Sequence, residues 1–168
     1  MTFVLWMTGR PCSGKTTISK KLEKIIPNLA TLDGDSLYEW LGTYDFSRES
    51  RIVQNKRVSH LAKLLIKHDV PVCVSMISPY EETRNNARQI IDNKKFYLVY
   101  VECDIGVCEK RDIKKMYKQA RNGKIKNFTG IDDIFEEPKN PDIIINTNDS
   151  TVDECVEKIL RFIEEHNT

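Results

Sequence analysis

The sequence predicts an α/β fold, a parallel sheet of about five strands with helices on both faces. Three observations carry that expectation. Short apolar runs without polar alternation, such as Phe3-Val4-Leu5-Trp6-Met7, read as strands buried on both faces. Segments with apolar residues at helical spacing separate these runs, and strands alternating with helices build parallel sheets. A glycine-bearing turn, residues 9–16, joins the first run to the first helix.

Taken in order, the first helix carries Ile18, Leu22, Ile25 and Ile26 and stops at Pro27. Ala30-Thr31-Leu32 reads as a second strand that ends at Asp33-Gly34-Asp35. A helix over about 48–68 turns Leu61, Leu64 and Leu65 inward. Residues 71–76 form a third buried strand, and Ser78-Pro79-Tyr80 turns the chain into a helix reaching about Ile91. Phe96 to Val101 is a fourth strand, followed by a helix near 105–112. The stretch after it is basic, with little apolar periodicity. Asp142 to Asn146 is the fifth strand. The last helix starts at Ser150, with Asp153 three residues on as a capping partner, and buries Val152, Val156, Ile159 and Ile163. Trp6 and Trp40 read as packing residues, and His60, His68 and His166 as surface residues. No repeat, low-complexity tract or linker interrupts the pattern, so residues 1–168 are expected to form one domain.

Composition narrows the classes of function. With 30% charged and 40% hydrophobic residues the chain is neither disordered nor membrane-embedded. No stretch approaches the ~20 apolar residues of a membrane span. A formal net charge of +1 argues against a protein that coats nucleic acid. That average conceals a strong asymmetry: residues 110–128 hold eight basic residues and one acidic, residues 129–168 three basic and eleven acidic. Five cysteines, odd in number and without a CxxC pair, read as reduced thiols in a cytoplasmic protein. The Phe3–Met7 run lacks the basic flank and the length of a signal peptide.

Gly9-Arg10-Pro11-Cys12-Ser13-Gly14-Lys15-Thr16 fits G-x4-G-K-[ST], between a buried strand and an amphipathic helix. This makes the expected sheet P-loop NTPase-like. Gly9, Cys12, Ser13 and Gly14 lend backbone N–H groups to phosphate oxygens, with Thr17 in the first turn of the helix. Lys15 reaches the β/γ-phosphates of ATP, and the Thr16 hydroxyl is the expected Mg²⁺ ligand. No N-K-x-D element for guanine follows a strand. A basic segment closing over a nucleotide suits phosphoryl transfer, where positioning and charge neutralisation do most of the work. Asp33 and Asp35 lie at a strand's C-terminal end, where parallel sheets place ligands. Two carboxylates there could serve Mg²⁺ and an acceptor hydroxyl; alternatively, Asp35 caps the next short helix.

Beyond this loop the chain resembles the adenylyl-sulfate (APS) kinases along nearly its whole length. The resemblance rests on Leu32-Asp33-Gly34-Asp35, Phe46-Ser47, Ser75-Met76-Ile77-Ser78-Pro79-Tyr80, Arg111-Asp112 and residues Ile125 to Asp132. It implies a kinase that moves the ATP γ-phosphate to the ribose 3′-hydroxyl of a nucleoside 5′-anhydride. By position, Asp35 would handle the 3′-hydroxyl with Asp33 beside it. Phe46 and Phe128 would sandwich the acceptor base, although each taken alone reads as core. Arg51 and Lys126 would meet the acceptor's 5′ substituent, and Ile77 and Ser78 would make backbone contacts to the acceptor. Some members carry a phosphoserine at the Ser78 position, whereas direct in-line transfer needs no serine intermediate. Segment 110–128 would be a mobile lid, with Arg111 meeting ATP at its start. A homodimer is implied by the resemblance alone.

Departures from the family pattern fall on the acceptor side. Ser36 and Tyr38 stand where asparagine and arginine are usual, the loop Gly42-Thr43-Tyr44-Asp45 is short, and Lys115 and Met116 replace glycine and leucine. A guanidinium lost near the 5′ end suggests a less anionic acceptor. The expectation therefore leans to cytidine diphosphoramidate, the substrate of a branch serving capsular phosphoramidate, with adenylyl sulfate as the alternative. A nucleotide-binding regulatory module without transfer activity is a reading of another class. The intact Lys15, Thr16, Asp33 and Asp35 set argues against it.

Overall fold

The computed structural model describes residues 2–41, 45–92 and 94–166. Gly42, Thr43 and Tyr44 of the short loop lie outside the described residues.

Five strands make one parallel sheet in the order β2-β3-β1-β4-β5. They are β1 (Val4–Thr8), β2 (Ala30–Asp33), β3 (Val72–Ser75), β4 (Phe96–Glu102) and β5 (Ile143–Asn146). In register, Val4 faces Val72 on one side and Phe96 on the other, and Val99 faces Ile143. Helix α1 (Lys15–Ile25) follows β1, and α2 (Gly34–Leu41) follows β2. Then come α3 (Arg48–Lys67), α4 (Glu81–Ile91), α5 (Ile105–Arg111), α6 (Met116–Arg121) and α7 (Val152–His166).

The side-chain alternation of β1 divides the core. Leu5 and Met7 pack with Ile18, Leu22, Cys155 and Ile159 from α1 and α7. Val4 and Trp6 pack with Val58, Ala62 and Ile66 from α3 and Ala87 and Ile91 from α4. Both faces are therefore covered, which is why the strands read as unalternated apolar runs. The expected α/β class holds.

Three local expectations differ. The buried stripe of α3 is Val58, Ala62 and Ile66, extended by Gln54, Asn55 and Ser59, whereas Leu64 faces solvent. Two of the polar members bond locally: Asn55 donates to the Arg51 carbonyl (2.8 Å) and Ser59 to that of Asn55 (2.7 Å). The capping box of α7 is Thr151 with Glu154, one residue later than expected, and Val152 is largely exposed. Trp6 is fully buried, but Trp40 on α2 is 73% exposed and is no packing residue.

The basic segment is more ordered than its sequence suggests. It holds α6, whose Tyr117 and Ala120 join Cys103, Cys108 and Phe128 in a third apolar cluster. Among the described residues no helix is long and apolar enough to cross a membrane.

Candidate active site

All five parallel strands end at the same edge of the sheet, and a cavity of about 890 Å³ lies there. The loop leaving β1 forms one part of its wall. Gly9 must be glycine, because a Cβ would stand 2.5 Å from the Val101 carbonyl oxygen and 2.7 Å from Ser13 Oγ. Cys12 and Gly14 take positive φ values of 62° and 105°, which bends the backbone back toward α1. Thr8 fixes the entry to the loop by donating its hydroxyl to the Ile77 carbonyl at 2.6 Å.

Lys15 opens α1 and is buried. Its Nζ donates to the carbonyls of Gly9 (2.7 Å) and Arg10 (2.9 Å) and to Ser13 Oγ (3.3 Å). Burial lowers its pKa from 10.5 to about 8, against the opposing pull of Cys108, Asp33, Cys12 and Asp35. Thr16 and Thr17 line the cavity, while Gly9 and Ser13 sit behind its surface. Arg111 reaches the same loop. Its Nη1 donates to the Cys12 carbonyl (3.3 Å) and its Nη2 to the Thr147 carbonyl (2.5 Å), while the Thr147 hydroxyl donates to the Ser13 carbonyl (2.7 Å). Thr147 follows β5, and no motif marks it. Only the rule that ligands gather at strand ends could have drawn attention to it.

Asp33 closes β2, and α2 begins at the next residue. The Thr16 hydroxyl donates to Asp33 Oδ2 at 2.6 Å, and the Asp35 N–H donates to Asp33 Oδ1 at 3.1 Å. Asp33, rather than Asp35, thus acts as the local cap. Asp35 is left mostly exposed, facing the cavity and paired with Lys114 of the basic segment. Sequence reasoning missed Lys114 because it is one lysine among many there.

Phe46, Arg51, Ile77 and Phe128 also line the cavity. Phe46 and Phe128 meet edge-on, with centroids 6.3 Å apart and planes at 71°. A base can lie between them only after one ring turns. Phe128 is the more firmly held, packed against Tyr117 at 5.0 Å. On the acceptor side, two expected residues fall outside the lining. Lys126 is exposed on the surface. Ser78 is buried; its hydroxyl accepts from Trp6 Nε1 (3.0 Å) and donates to Asn55 Oδ1 (2.7 Å). Its carbonyl accepts from Arg84 Nη1 (2.7 Å), so its polar groups serve the fold.

A parallel sheet bearing a phosphate loop and paired carboxylates at its C-terminal edge defines a P-loop nucleotide-binding fold. Solved kinases far apart in sequence share the architecture, among them a shikimate kinase from Acinetobacter baumannii (TM-score 0.63, 16% identity, 98% of this chain and 94% of that one). More particularly, the chain belongs to the adenylylsulphate kinase family, whose model matches residues 1–146. An adenylyl-sulfate kinase of Clostridium acetobutylicum is 44% identical over 168 residues, 97% of this chain and 84% of that protein. One of Staphylococcus carnosus is 40% identical over 167 residues, 96% of this chain and 84% of its own. The structure of the Mycobacterium tuberculosis APS kinase CysC with AMPPNP and APS superposes with a TM-score of 0.89 at 36% identity, covering 97% of this chain and 98% of that one.

Proposed function

We propose that this chain transfers the γ-phosphoryl group of ATP to the ribose 3′-hydroxyl of adenylyl sulfate. The observation that carries the reading is one cavity lined by both Lys15 and Thr16 of the phosphate loop and Asp35, Phe46, Arg51 and Phe128. A donor and an acceptor nucleotide can meet there end to end. The likeness to adenylyl-sulfate kinases above 40% identity supports this acceptor, the alternative of the sequence reading, over cytidine diphosphoramidate. Its physical basis was the missing guanidinium at Tyr38, but a phenol lining the cavity donates to a sulfate oxygen as readily as to an amidate.

In this mechanism Lys15 and the loop amides hold the β- and γ-phosphates. Asp35 orients the 3′-hydroxyl and accepts its proton as the new O–P bond forms and the bond to the β-phosphate bridging oxygen breaks. Segment 110–128 serves as the lid, whose Lys114 and Arg111 add to the charge of Lys15 at the site of transfer. The hydroxyl of Thr16 and the carboxylate of Asp33, 2.6 Å apart, are hard oxygen donors that suit Mg²⁺, an ion usually bound by one or two side chains plus substrate phosphates. Such an ion neutralises charge on the phosphate oxygens. The five free thiols suit a reducing cytoplasm, and family likeness suggests a homodimer, checked by light-scattering mass.

The test is a side-by-side assay of adenylyl sulfate and cytidine diphosphoramidate with ATP and Mg²⁺. A higher kcat/KM for adenylyl sulfate is expected, and a preference for the cytidine compound overturns the acceptor. Asp35→Ala should lower kcat by roughly 10²–10⁴-fold, the usual worth of a positioned base. Undiminished transfer would remove Asp35 from the mechanism.

A further inference from the structure

Arg51 lines the cavity, yet two of its donors are bound to backbone carbonyls. Its side chain is 3% exposed. Nε donates to the Phe46 carbonyl at 3.1 Å and Nη2 to the Asn127 carbonyl at 2.8 Å. One planar fork thereby ties together the backbones that carry Phe46 and Phe128, which lie far apart in the chain. A buried guanidinium needs a counter-charge, and Asp133 Oδ2 lies 3.8 Å from Nε.

That carboxylate is itself fixed on both oxygens. The Tyr80 hydroxyl donates to Oδ2 at 2.7 Å, and the Ile134 N–H donates to Oδ1 at 2.9 Å. Asp133 is also bound to the Phe128 turn, since its own N–H donates to the Phe128 carbonyl at 3.2 Å. Tyr80 is 1% exposed, with the Arg48 guanidinium 4.1 Å above its ring. Burial, with Asp133 beside it, pushes the Tyr80 hydroxyl up to about 12, so it remains a donor at neutral pH. Neither Asp133 nor Tyr80 reaches the cavity.

We propose that Asp133 and Tyr80 are positioning residues for the acceptor site: they orient Arg51, which anchors the backbone segments that carry Phe46 and Phe128 beside the cavity. The inference rests on the acceptor reading given above. It predicts that weakening the carboxylate–phenol pair loosens the aromatic walls while leaving the phosphate loop untouched. Removing the charge with Asp133→Asn leaves Arg51 buried and unpaired. Tyr80→Phe removes one hydrogen bond and keeps the ring beneath Arg48, so it serves as the milder variant should the first not fold.

The experiment has two arms. Initial rates are measured with adenylyl sulfate and ATP varied separately, for the wild type and both variants. The nuclear Overhauser contact between the Phe46 and Phe128 rings is followed in the free protein. Asp133→Asn should raise the acceptor KM about tenfold, Tyr80→Phe less, with ATP KM unchanged and Asp133→Glu recovering part of the loss. The ring contact should weaken in the same order. A KM that rises equally for ATP and acceptor, or a ring contact unmoved by either variant, overturns the inference. A wild type that phosphorylates no adenylyl sulfate sinks the acceptor reading, and the ring contact then decides the strut by itself.

Discussion

Lys15 donates to two carbonyls and a hydroxyl of its own loop, which do not balance its charge, and burial brings its pKa down to about 8. The folded pKa lies below the unfolded value of 10.5, so the charged form is disfavoured in the native state. Below about pH 8 this lysine destabilises the fold. Between about 8 and 10.5 the unfolded chain binds the extra proton, and this group's contribution to stability rises with pH. A bound triphosphate reverses the imbalance by favouring the ammonium. ATP binding near pH 8.5 should therefore take up a fraction of a proton, seen by calorimetry in buffers of different ionisation heat. At pH 6.5 the uptake should vanish, and Lys15→Ala should abolish it at pH 8.5. The phosphate loop and the Asp33–Asp35 pair were legible in the sequence because each is a short contiguous pattern. Thr147 and Asp133 were not. Their partners, Ser13 and Tyr80, are brought to them only by the sheet and by the turn after β3, and no local spacing encodes those contacts.

Among elements, the strands were legible because burial on both faces suppresses alternation. Helix α3 was read only in part: Leu61 and Leu65 pack at the margin of the core as expected, Leu64 faces solvent, and the fully buried face also carries Asn55 and Ser59, whose side chains bond locally. Helix α6 was missed for a related reason. Its anchors, Tyr117 and Ala120, are sparse among lysines and meet their apolar partners Cys103, Cys108 and Phe128 across loops. The basic segment is thus fastened at its middle and at its end, and the two aromatic residues are held unequally. Phe128→Ala should cost about 3–5 kcal/mol of stability, the range for emptying a buried aromatic site. Phe46→Ala, in a half-buried position, should cost less than ~2 kcal/mol while weakening acceptor binding, since base stacking is worth ~1–3 kcal/mol. Urea denaturation alongside acceptor titration separates the two effects.

At the scale of the whole molecule, near-neutrality is a sum of opposites: the basic segment covers the cavity edge and an acidic C-terminal quarter offsets it. The order β2-β3-β1-β4-β5 also has a consequence for how the chain reaches its fold. Strand β1 is central, yet its two neighbours are Val72–Ser75 and Phe96–Glu102, supplied much later. During synthesis at about 5–20 residues per second, Val4–Thr8 waits on the order of 3–13 s before the first of these partners is complete. The waiting segment is apolar apart from Thr8 and carries no charge, so hydrophobic-binding chaperones should retain the nascent chain in a pull-down from a translation extract. Refolding from denaturant should accordingly be governed by distant parallel pairings, with stopped-flow rates slower than those of helical bundles of similar length.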